Sequence, residues 1–313
     1  MYRLVRVFAL TCLVGIVVGC GSTSAPSSAT SSAPSSATSS ATAQKVPDSA
    51  LITPGTLTVC QSVPSEPFLM YNSSGQVIGT DADTAADIAS RLGLKEATVL
   101  SVFATMITAV QTGKCDVIIS SMDIRADREA QIDQIGYLIT GASLLFQAGN
   151  THGMGNPISD EHSLCGHSIA AEIGSQGLDQ VAAWSKECTD ASLPAISTTD
   201  VQDNTSLYQL LISGKTDAAI GSPEAAGYYA VQHPGTIVDG PSYSLILEGI
   251  GVKQGNTTLE NAIISTLQSM QADGTLLNIM KKYGCPAVDV PTSFQLNPPI
   301  SKDETSGEPT PVS

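Results

Sequence analysis

The residues Cys115–Arg128 read Cys-Asp-Val-Ile-Ile-Ser-Ser-Met-Asp-Ile-Arg-Ala-Asp-Arg, and the second half of that run carries usable chemistry. Ser120, Ser121, Asp123 and Arg128 bring two hydroxyls, a carboxylate and a guanidinium into one short loop. A guanidinium fork pairs both oxygens of a carboxylate at once. Hydroxyls, carbonyls and a carboxylate take an ammonium. Together they suit a small zwitterion. The plainer alternative is a solvated loop with an ordinary ion pair, and these residues alone do not separate the two.

The elements around the loop decide where it sits. Val117-Ile118-Ile119 is too short for a helix and rich in β-formers, so it reads as a buried strand. The loop then lies at a strand's carboxyl end, where open α/β sheets bind ligands. The same alternation runs along the chain. Strands are expected at Thr56–Cys60, Ala97–Val102, Ser143–Gln147, Ser168–Ala171, Ala195-Ile196, Asp217–Ile220, Ile237-Val238 and Leu245–Val252. Helices are expected at Asp81–Leu92, Ala104–Gln111, Leu178–Lys186, Thr205–Ser213, Pro223–Val231, Thr258–Ala272 and Leu276–Lys282, with a hairpin turn at Tyr71–Gln76. Strands alternating with helices call for parallel sheets covered by helices, an α/β fold.

An internal echo points to two similar lobes. Gln111–Ser120 and Leu211–Gly221 each read as helix end, Gly-Lys, one residue, Asp, apolar strand and a loop of small residues. Neither Gly-Lys is a phosphate loop, which needs an earlier glycine and a following helix. Each reads as a helix C-cap.

The amino end carries a targeting pattern. Arg3 and Arg6 precede the uncharged apolar run Val7–Val18, too short to span a bilayer. Val17-Val18-Gly19-Cys20 resembles the bacterial lipobox, so residues 1–19 are expected to be a signal peptide and Cys20 the lipidated residue. Two acyl chains at one site make a stable anchor. Residues 20–48 are rich in Ser, Thr, Ala and Pro, and Ser24–Ser31 recurs as Ser32–Ser39. With no apolar face to bury, this stalk is expected to be disordered, holding the domain roughly 25–30 Å from its anchor.

Charge and cysteines narrow the function further. The chain carries a net charge of −15, and loss of the leader with Arg3 and Arg6 makes it −17. So acidic a domain is not built to bind nucleic acid, which needs basic patches. No His or Cys spacing marks a metal site, and no cofactor is expected. Outside the cytoplasm Cys60, Cys115, Cys165, Cys188 and Cys285 are candidates for disulfides. Cys165 and Cys188 flank a strand–helix unit and are the expected bridge. Cys60 and Cys115 are read as lying near opposite ends of two parallel strands, which argues against joining them.

From Gly55 to Tyr283 the chain resembles the bacterial extracellular solute-binding proteins of family 3, the amino-acid receptors of ABC importers. The resemblance rests on Gly55–Val59, Pro67-Phe68, Gly79–Asp83, Arg91–Gly93, Ser121–Ile124 with Arg128, Gly174-Ser175 and Met270–Leu276. It implies two α/β lobes joined by two hinge strands, with ligand enclosed between them. The first lobe would span residues 49–145 and the second 146–243. Residues 244–285 would return to the first, and 286–313 would form a disordered tail.

The resemblance also implies roles. Arg128 would grip a ligand's carboxylate together with the turn at Ser175 and Gln176. Ser120 and Ser121 would accept from its ammonium, and Phe103 would face its side chain. Two positions depart from the family: Ser65 where an aromatic residue is common, and Ser222 where an Asp pairs with the ammonium. Asp123 stands where Ser or Thr is usual, so it is expected to take over the ammonium, with Glu224 as second candidate. The implied protein is a monomeric, lipid-anchored receptor that closes on a zwitterion, an amino acid or derivative, and delivers it to an ABC permease. A sensor lipoprotein without a permease, or a dehydratase-like enzyme on the same fold, are the alternatives.

Overall fold

The computed structural model describes residues 45–149, 152–154, 160, 162–286 and 289–299, with the backbone alone for 238–246. The expected leader, Cys20 and almost the whole stalk lie outside the described residues. Among the described residues no helix is long and apolar enough to cross a membrane.

The chain enters on β1 (Thr56–Gln61) and turns through a small hairpin, β2 (Met70–Tyr71) and β3 (Val77–Ile78). It continues through α1 (Thr80–Arg91), β4 (Lys95–Leu100), α2 (Met106–Gln111), β5 (Val117–Ile118) and the one-turn α3 (Ala126–Glu129). A long strand, β6 (Asp133–Gln147), carries it into the second lobe. There follow β7 (Ser168–Glu172), α4 (Gln176–Asp190), β8 (Ser197–Val201), α5 (Asn204–Ile212), β9 (Ala218–Gly221) and α6 (Pro223–Gln232). A second long strand, β10 (Ile237–Val252), returns to the first lobe, which α7 (Thr257–Ala272) and α8 (Thr275–Lys282) complete.

The eight-stranded sheet runs β4-β1-β5-β10-β6-β9-β7-β8. Its parallel ends, β4-β1-β5 and β9-β7-β8, belong to different lobes. The antiparallel β6 and β10 join them along nearly their whole length, so these two strands are the hinge. Two separate expected strands, Ile237-Val238 and Leu245–Val252, are one strand here. Gly240-Pro241 reads as a break in sequence, but register shifts between Asp239 and Ser244 absorb the proline without ending the strand. The strand expected at Ala195-Ile196 instead begins at Ser197.

Each lobe packs apolar side chains on both faces of its sheet, and the period of two sorts them. In the second lobe Leu144, Phe146, Ile169 and Ala171 meet Trp184 of α4 on one face. The residues between them, Leu145 and Ala170, meet Leu207 and Tyr208 of α5 on the other. Truncating a fully buried leucine such as Leu144 to alanine costs about 2–5 kcal/mol, so each face is held separately.

The internal echo is structural. Gly113 and Gly214 have φ of 72° and 67°, in the left-handed region that favours glycine. The next amides, of Lys114 and Lys215, donate back to Ala109 and Leu210 at 2.8 and 2.9 Å, closing helix C-caps. The aspartates that follow bracket neighbouring strands. Asp116 accepts from the Thr58 amide at 2.8 Å and its own amide donates to the Thr58 hydroxyl at 2.9 Å. Asp217 does the same with Ser168, at 2.8 and 2.9 Å.

Cys165 and Cys188 are bonded, with Cα atoms 5.5 Å apart. Cys60 and Cys115 are bonded too, at 5.7 Å, against the sequence expectation. The approach to β5 brings them together: Asp116, next to Cys115, is pinned to Thr58 of β1 through its carboxylate and its amide, which holds Cys115 against the strand that carries Cys60. Cys285 is buried and free.

The tail also differs from expectation. Residues 289–299 lie along β6, where the Gly136 amide donates to Gln295 O (3.1 Å) and the Asn297 amide to Gln134 O (2.7 Å). Phe294 is buried in the first-lobe core. Proline-rich composition marks loss of regular structure, but a buried aromatic and backbone pairing suffice to dock the segment.

Candidate ligand-binding cleft

The hinge brings the carboxyl ends of β1 and β5 opposite those of β7 and β9. Between them lies a cavity of about 120 Å³. From the first lobe Phe68, Phe103, Ser120, Ser121 and Asp123 line it. From the second come Glu172, Ser175, Gln176, Tyr208 and Ser222, and the hinge strands contribute Thr140, Gly141, Ala142 and Glu248. The lobes meet at both rims. Asn204 donates to the Ser65 hydroxyl at 2.9 Å, and the Tyr229 hydroxyl to Glu66 at 2.8 Å. On the other side the Arg125 guanidinium donates to Asp179 at 2.5 Å. This is a closed conformation.

Several expected site residues line the cavity but already have local work. Ser120 Oγ accepts from the Ser62 amide at 3.0 Å. Ser121 holds φ at 43°, a left-handed conformation that a non-glycine residue keeps only when its surroundings enforce it. Its hydroxyl donates to Asp81 at 2.9 Å, and Tyr137 donates to the same carboxylate at 2.7 Å. Burial pushes Asp81 up to about 6, in spite of these donors. Ser175 caps α4, accepting from the Leu178 amide at 3.2 Å and donating to Glu172 O at 2.8 Å. Ser222 caps α6 in the same way, accepting from Ala225 at 3.1 Å. Gln176 borders the cavity with its Oε1 unpartnered.

Arg128 departs most from expectation. It is 5% exposed and borders an outer groove with Ala104, Arg125 and Asp179 rather than the cavity. Its Nη1 donates to Asp123 twice, to the carboxylate Oδ1 and to the backbone O (2.8 Å). Its Nη2 reaches across to Gly174 O in the second lobe, at 2.8 Å. The Phe103 ring lies under the guanidinium at 5.6 Å. Asp123 therefore already pairs with the guanidinium that was expected to hold a ligand carboxylate. Its other oxygen, Oδ2, has no hydrogen-bond partner.

Glu224 does not line the cavity. With Ser222 taken as the cap, it falls in the first turn of α6 and borders a groove with Tyr228 and Tyr283. Two acids were missed in its place. Glu172 ends β7, and burial together with the Asp203 carboxylate pushes it up to about 8. Glu248 is 6% exposed; burial, with Asp81 and Glu224 nearby, raises it well above the carboxylate range. Both had a readable signal: a carboxylate at a strand's carboxyl end, and a charge inside an apolar strand.

Residues 57–285 match the family of bacterial extracellular solute-binding proteins, family 3. The chain belongs to that family. The L-cystine-binding protein TcyJ of Escherichia coli (strain K12) is 24% identical over 231 residues, 73% of this chain and 82% of that protein. An ancestral arginine-binding protein bound to arginine is 29% identical with a TM-score of 0.67, covering 74% of this chain and 98% of that one. An ancestral amino-acid-binding protein, AncCDT-1, a precursor of cyclohexadienyl dehydratase, is 26% identical with a TM-score of 0.63, covering 73% and 95%. The family 3 fold is the two-lobed, hinge-strand architecture described above.

Proposed function

We propose that this family 3 chain is the lipid-anchored, extracytoplasmic receptor of an ABC importer, binding an ammonium-bearing solute of amino-acid size, an amino acid or a derivative of one. The observation that carries the reading is the closed cleft, whose polar groups come from both lobes and from the hinge. A ligand held by both lobes favours closure, and the closed form is what a permease would recognise. Lipidation at Cys20 and the stalk would keep the receptor beside its permease. Binding to cystine or arginine by similar proteins supports the amino-acid size class.

The test is a thermal-shift screen of the full chain against amino acids and amines. A ligand at 100 times its Kd adds about 2.7 kcal/mol to the folded state, a rise of several degrees. No rise with any of them refutes the reading. The likeness to AncCDT-1 favours one second reading, an enzyme of dehydratase type with Glu172 as the acid. Product formation from a bound solute would establish that instead.

A further inference from the structure

We propose that the cleft selects a small organic cation that carries no carboxylate, the amine left when a basic amino acid loses its α-carboxylate. This rests on the receptor reading above and names the chemistry of its ligand. The first ground is the state of Arg128. A ligand carboxylate would need its donors, but three of the five are taken, both of Nη1 by Asp123 and one of Nη2 by Gly174 O, and the guanidinium borders the outer groove instead of the cavity. Asp123 is an internal carboxylate in the place of an external one.

The second ground is the charge of the cavity. Asp123, Glu172 and Glu248 line it, and among the described lining residues there is no Lys, Arg or His. A carboxylate entering here would meet three acidic side chains and, among the described lining residues, no cationic one to pair with. Asp123 Oδ2 and Glu248 Oε2 have no hydrogen-bond partner, on residues 7% and 6% exposed. Buried carboxylate oxygens in that position are costly unless a donor reaches them, and an ammonium or guanidinium supplies several.

The third ground is shape and kind. Phe68, Phe103, Ala142 and Ile220 give the cavity apolar wall, suited to a methylene chain between charged ends. A metal ion is the other cation to consider. Among the described residues no group of three His, Cys, Asp or Glu side chains is placed to hold one. The raised positions of Glu172 and Glu248 agree with acids that ionise only when a cation arrives.

The experiment compares matched pairs that differ only in the α-carboxylate: ornithine with putrescine, lysine with cadaverine, and arginine with agmatine. Calorimetry on the full chain should find at least one amine binding about tenfold or more tighter than its parent. Asp123→Ser, which releases Arg128, should reverse that preference toward the parent; if this variant does not fold, Asp123→Asn serves. A native chain that binds a parent as tightly as its amine, or binds only neutral amino acids, overturns this inference and leaves the receptor reading standing. A chain that binds none of the six and no neutral amino acid overturns both.

Discussion

Replacing Arg128 with methionine would remove the cation from a buried pair and leave Asp123 behind. Arg128 is 5% and Asp123 7% exposed, so water does not take over the lost contacts. Breaking a buried pair by removing one partner costs about 3–5 kcal/mol. The Asp123 carbonyl keeps a second donor, Gln134 Nε2 at 3.3 Å, and adds little. The Gly174 carbonyl loses its cross-lobe donor, about 1 kcal/mol at most because it lies near the rim. The sum is about 4 kcal/mol, or about 8–16 °C in Tm for a domain of this size. Urea titration of the full chain reads it directly. The double variant Arg128→Met/Asp123→Leu removes both charges and should fall within about 1 kcal/mol of the native chain. Because the pair is buried, 0.5 M salt should leave the single-variant deficit nearly unchanged. A single variant costing less than 1 kcal/mol would refute the account, since that is the value of an exposed pair.

The disulfides should differ in weight by the loops they close. Cys60–Cys115 spans 55 residues and Cys165–Cys188 spans 23; chain entropy then sets upper values of about 4 and about 3 kcal/mol. Guanidinium midpoints of the two double Cys→Ser variants should fall in that order. A pH series tests Asp81, which is fully buried and sits near 6, against about 4 in the unfolded chain. The folded state then holds a proton that the unfolded chain releases, so stability present below about pH 4 is lost as pH rises to 6. Unfolding midpoints should decline across that window in the native chain and less so in Asp81→Asn; equal declines would refute it.

Periodicity made most of the fold legible. Turn glycines and apolar spacing located the helices, and the Gly-Lys-x-Asp echo located the matching helix C-caps. What stayed hidden depended on contacts distant in sequence or on unmarked geometry. Strand β10 reads as two strands because the register shifts that carry it past Pro241 have no local signature. The Cys60–Cys115 bond depends on Asp116 pairing with Thr58, a contact between residues far apart in sequence. In the cleft, residue types pointed to a loop that lines the cavity but not to its internal pairing. Arg128 and Asp123 lie five residues apart, and only the turn of α3 folds one onto the other. Glu248 went unnoticed because its strand reads as ordinary core, although a charge among such residues is the exception that asks for a reason.

The docked tail has a consequence for the sheet. Beyond β6 the order continues with β9, but β9 pairs only with residues 143–146, leaving the start of β6 with a free side. Residues 295–297 cover that side at Gln134 and Gly136. A chain cut before residue 289 would present this stretch as a bare strand edge, with unpaired N–H and C=O groups beside an apolar core. Such edges recruit other strands. The short carboxyl-terminal segment is thus a guard against self-association, and its removal would favour edge-to-edge aggregates.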